Sequence, residues 1–176
     1  MSDKNTNTEL IIEFLSKKSL PRYEEIPNVG LYLDQVVKYI NDVLEPLHLN
    51  ITPSMLSNYV KKGYIDSPVK KQYYAEQIAY LMFIVVAKQV LSMEHIAALL
   101  ELQKATYSTA EAYNYFCEEL EHMLKITFEK INDPEAVSEI GSSKEFPYEK
   151  NVLRSVVIAV SHIIYLNYCF ERSLHP

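Results

Sequence analysis

Residues 51–74 read ITPSMLSNYVKKGYIDSPVKKQYY, and this stretch decides the fold. Its first half carries its own start and stop. Thr52 is a good N-cap, and Pro53 stands at the first helical position, where a missing N–H costs nothing. Gly63 ends the run, because glycine readily takes the positive φ that closes a helix. Met55, Leu56 and Tyr59 recur at helical spacing, so a helix is predicted over 53–62 with these three inward. Ser54, Ser57, Asn58 and Lys61 then face outward, with Lys62 beside them. The second half breaks at Pro68, and residues 65–74 read as a short hairpin or extended arm carrying Lys70, Lys71 and Tyr73.

The neighbouring segments extend this pattern. Upstream, residues 31–45 set Leu33, Val36, Val37, Ile40, Val43 and Leu44 on one helical face, and Pro46 ends that helix. HLN makes a short turn into the capped helix. Downstream, residues 75–90 form an apolar helix with Ile78, Leu81, Met82, Val85, Val86 and Gln89 on one side. Ser92 caps a further helix over 93–104, with Ile96, Leu99, Leu100 and Gln103 in register. The longest amphipathic run is 108–131. A polar loop from 133 follows, and an apolar helix over 150–173 ends the chain. Before the first pattern lie a polar tail (1–7), a short helix (8–18) and a proline-containing connection. Three glycines in 176 residues argue against a turn-rich β fold, so a mainly helical, all-α class is expected. Three regions follow: 1–19, 20–104 and 105–176.

Charge is segregated. The formal net charge is −6, yet residues 51–90 hold five lysines against Asp66 and Glu76. A negative total does not exclude a local basic face, since contact with a polyanion depends on where charge sits. Enzyme chemistry finds little purchase. Gly30, Gly63 and Gly141 cannot build a phosphate loop, and the five histidines never reach HExxH spacing. Glu118, Glu119, Glu121 and His122 read as a solvated helix face, and His162 as a hydrogen-bonded core histidine. Neither an enzymatic activity nor a cofactor or metal is expected. Cys117 and Cys169 fit unpaired thiols in a reducing cytoplasm. Residues 152–170 approach membrane-spanning length, but Arg154, His162 and Asn167 recur within them, so a packed helix is expected instead.

A helix, a turn, a capped helix, a basic arm and another helix make a winged helix-turn-helix pattern. The matching positions are Asn58-Tyr59, Gly63-Tyr64-Ile65, Pro68, Lys70-Lys71, Tyr73, Ile78, Leu81, Leu91-Ser92, Ile96 and Leu99-Leu100. On these residues the chain resembles the DNA-binding head of MerR-type regulators. From about residue 20 to 104 it resembles, more closely, an uncharacterised bacterial family of unknown function with such a head. The resemblance implies a transcriptional regulator that binds double-stranded DNA. Helix 53–62 would enter the major groove, and wing 65–74 would touch phosphates. The implied contacts are Ser54, Ser57, Asn58, Lys61, Lys62, Lys70, Lys71 and Tyr73. It also implies a homodimer through the C-terminal helical region, which would sense a small-molecule effector. Lysine stands where such heads usually carry arginine, and lysine reads guanine with less geometric discrimination. The alternative reading is a protein-interaction adaptor that keeps the winged fold without DNA.

Overall fold

The computed structural model describes residues 19–130 and 146–174. The expected helix at 8–18 and the polar loop up to residue 145 lie outside them. Six α-helices and one two-stranded sheet occur among the described residues: β1 (Leu31–Tyr32), α1 (Leu33–Leu44), α2 (Pro53–Lys61), β2 (Gln72–Tyr73), α3 (Ala75–Ala87), α4 (Met93–Lys104), α5 (Thr109–Lys130) and α6 (Tyr148–Leu174). The mainly helical expectation holds. The sequence reading did not contain β1, which occupies the first two residues of what was expected to be helix 31–45. β1 pairs antiparallel with β2, Leu31 opposite Tyr73 and Tyr32 opposite Gln72. Gly30 permits this closeness, because a Cβ there would meet Gln72 side-chain atoms at 2.7–2.8 Å.

The local signals around α2 act as read. The Thr52 Oγ1 accepts from the Met55 N–H at 3.2 Å. At the other end Gly63 takes φ 76°. The Gly63 N–H donates to the Val60 carbonyl at 3.0 Å and the Tyr64 N–H to the Tyr59 carbonyl at 2.9 Å, a Schellman closure. Nothing lies within 4 Å of a Cβ built at Gly63, so its conformation alone resists substitution. Gly63→Ala is therefore expected to cost about 1 kcal/mol, read as a lower denaturant midpoint at unchanged slope.

α3 departs from a one-sided helix. Ten of its thirteen residues are buried, Phe83 and Ile84 among them. A helix apolar all round sits inside a protein rather than on its surface. α3 is enclosed by α1 on one side and by α5 and α6 on the other. One hydrophobic cluster accordingly runs from Leu20 through Val36, Leu56 and Ile84 to Leu120, Val160 and Tyr168.

α5 and α6 run in the same direction. Glu119 faces Arg154, the Thr127 and Ser161 hydroxyls lie 3.1 Å apart, and Phe128 packs edge-on to Tyr165 and Tyr168. Leu153, Val157, Val160, Ile164 and Tyr168 form the buried stripe of α6. By length and composition α6 could cross a bilayer, but it lies packed on α5 along this stripe. Segment 20–24 is stitched to the far face of α5. The Arg22 guanidinium grips Glu121 through both its terminal nitrogens, at 3.0 and 2.7 Å, and the Leu20 N–H adds a third bond to that carboxylate.

Candidate nucleic-acid interface

The turn between α1 and α2 is held by one side chain. Asn41 accepts from the Ile51 N–H at 2.8 Å and donates to the Ile51 carbonyl at 3.0 Å. The amide thus copies a backbone strand partner and sets where α2 begins. From the other side, the Tyr168 hydroxyl of α6 donates to the Pro46 carbonyl at 2.6 Å, and its ring lies 4.6 Å from that of His48.

With its start placed, α2 buries Leu56 and Tyr59 and turns Ser54, Ser57, Asn58 and Lys61 to solvent. These four lie at i, i+3, i+4 and i+7, a single stripe along the helix. Lys62 caps the helix and sits at the edge of that stripe. It lies within electrostatic reach of Glu94, a carboxyl held below its usual range first by hydrogen bonds at the N-terminus of α4.

The arm from Ile65 to Tyr74 carries a tight hairpin over Val69–Gln72. The Val69 and Gln72 backbones exchange two hydrogen bonds, at 3.0 and 2.9 Å, leaving Lys70 and Lys71 as a two-residue turn. Both lysines take positive φ, 50° and 66°. That is the I′ arrangement, which glycine and asparagine normally fill. Lys70 and Lys71 are exposed, as are Lys61 and Lys62. Among the described residues none of the four ammonium groups has a carboxylate within 4 Å.

Tyr73 requires a correction. Read from sequence as a surface contact, it is only 3% exposed, because it pairs with Leu31 on the core face of the sheet. The residues on the outer face escaped the sequence reading. Val69, Gln72 and Tyr32 stand opposite one another across the hairpin and β1, so their side chains share one face. Tyr74 follows on the same face two residues after Gln72. Val69 is 59% exposed, Tyr32 54% and Tyr74 37%. A pairing partner for Tyr32 would have revealed this, but a two-residue strand leaves no periodic trace.

Elsewhere the polar groups have structural duties. Glu121 is held by Arg22, Glu119 turns to Arg154, and His122 points to solvent. Among the described residues no group of three or more His, Cys, Asp or Glu could hold a metal. The His162 Nδ1 lies 2.8 Å from the Ile158 carbonyl. Burial pushes the Cys117 thiol up to about 12, which leaves it unreactive at neutral pH. An apolar pocket of about 40 Å³ lies between α3, α4 and α5, walled by Tyr80, Phe83, Tyr113 and Phe116. Lys104 sits over the Tyr80 ring at its rim, 4.9 Å from the centroid.

No curated protein and no solved structure matches the chain. Residues 21–116, from the Arg22 latch through the hairpin to the second turn of α5, match the family described as Domain of unknown function (DUF1836). That match spans more than half of the chain, which therefore belongs to this family.

Proposed function

We propose that this protein is a DNA-binding transcriptional regulator whose head is a MerR-like winged helix-turn-helix. α2 is the recognition helix and the 69–72 hairpin is the wing. The order strand, helix, turn, helix, hairpin, strand, helix, with the first strand closing on the last, supports that topology. The observation that carries the functional reading is the wing turn. Two lysines occupy left-handed backbone positions that glycine fills at lower cost, and no described carboxylate pairs with their ammonium groups. Backbone strain of this kind is held in place by the surrounding structure and clusters at functional sites, which favours a role for these two side chains outside the fold.

Lys70 and Lys71 neutralise phosphates and fix register, while Ser54, Ser57, Asn58 and Lys61 meet base edges and nearby phosphates. Tyr73 supports the wing from the core side. No arginine lies between Arg22 and Arg154, so backbone contact outweighs guanine reading. Two copies, paired through the C-terminal helices, would set two α2 helices about 34 Å apart, one turn of duplex.

Fluorescence anisotropy with labelled duplex DNA at stepped salt tests this reading. The affinity should fall steeply with salt, and Lys61→Ala should reduce the slope of log K against log salt by about 1 per protomer. Retention on DNA that ignores salt would remove DNA from the account, and a Lys61→Ala slope equal to wild type would remove Lys61 from the phosphate contacts. A protein partner captured at high salt and indifferent to these lysines would then favour the adaptor reading.

A further inference from the structure

We infer that the outer face of the wing sheet, Tyr32, Val69 and Tyr74, is itself part of the DNA contact and packs against the sugar–phosphate wall beside Lys70 and Lys71. This rests on the DNA-binding reading and adds residues to it. The register carries the inference. Val69 faces Gln72 and Gln72 faces Tyr32, so all three side chains stand on the side opposite buried Tyr73. The Gln72 side chain lies against Gly30, while Val69 and Tyr32 remain more than half exposed.

An exposed valine flanking the left-handed turn, with two exposed tyrosines on the same sheet face, calls for an explanation. Val69 at 59% and Tyr32 at 54% exposure contribute nothing to the core. Charge complementarity decides what covers them. The face is bordered by two lysines that lack a described carboxylate within 4 Å, so a polyanion fits and an ordinary apolar protein surface does not. Deoxyribose offers an apolar wall for Val69 and for the tyrosine rings. Phosphate oxygens accept from the Tyr32 and Tyr74 hydroxyls, as they do from tyrosines generally. A lysine brings charge to the wing, and the tyrosines give it a fixed depth and angle.

The roles separate by salt dependence. Neutral side chains release no counterions, so their loss lowers affinity without changing the salt slope. The full-length chain carrying Tyr32→Phe with Val69→Ser is compared with Lys70→Ala with Lys71→Ala on the same duplex. The neutral pair should bind about tenfold more weakly at every salt concentration, with the wild-type slope and unchanged melting. The lysine pair should flatten the slope. If the lysine pair flattens the slope while the neutral pair binds as wild type does, the sheet face serves something else, such as a protein partner, and this inference fails alone. If neither pair alters binding, the wing does not touch DNA and both readings fall.

Discussion

Lys70→Asn combined with Lys71→Gly should make the protein more stable and a weaker DNA binder at once. Both native lysines sit at positive φ in a two-residue turn closed by the Val69–Gln72 hydrogen bonds. A left-handed residue with a Cβ costs roughly 1–2 kcal/mol, and Asn-Gly is the pair that this turn prefers. Part of the gain is offset because glycine is more disordered in the unfolded chain. The net effect expected is about 1 kcal/mol of added stability, or roughly 2–4 °C in melting temperature for a chain of this size. Two phosphate contacts per protomer are lost in the same step. DNA affinity at moderate salt should drop on the order of tenfold, and the salt slope should fall by about 2 per protomer. Calorimetry and anisotropy on one preparation read both quantities. A variant that is stabilised but binds DNA unchanged would mean that the lysines hold their strained positions for a reason unrelated to phosphate.

The second large effect falls on Asn41. Asn41→Ala removes both bonds to Ile51 and leaves a partly buried N–H and carbonyl without their partner. Each unsatisfied group costs about 1–3 kcal/mol, so a loss of about 2–3 kcal/mol is expected after water recovers part of it. Urea unfolding checks this directly. Asn41→Asp sharpens the test. The carboxylate still accepts from the Ile51 N–H, but its second oxygen opposes the Ile51 carbonyl. Asn41→Asp should therefore fail to rescue stability at neutral pH and recover part of it as the carboxyl is protonated at low pH. The turn is braced at its other end by the Tyr168–Pro46 bond, which is why α6, distant in sequence, bears on the placement of α2.

Signals written in neighbouring residues were legible without coordinates. Thr52, Pro53 and Gly63 bound α2, and Ser92, whose hydroxyl accepts from the His95 N–H at 3.2 Å, opens α4. Caps and stops depend on three or four consecutive residues, so the chain states them locally. The outward stripe of Ser54, Ser57, Asn58 and Lys61 followed from the inward one, because a helix has a fixed period.

The tertiary structure alone decided the rest. The face of Tyr73 depends on its pairing with Leu31 from the far side of two helices, and two-residue strands are too short for alternation to betray them. The left-handed turn at Lys70 and Lys71 is imposed by closing that sheet, since neither lysine prefers such backbone angles. The parallel course of α5 and α6, and the burial of most of α3, arise from contacts between residues remote in sequence. Local chemistry sets where an element begins and ends, and long-range burial sets which of its faces meets water.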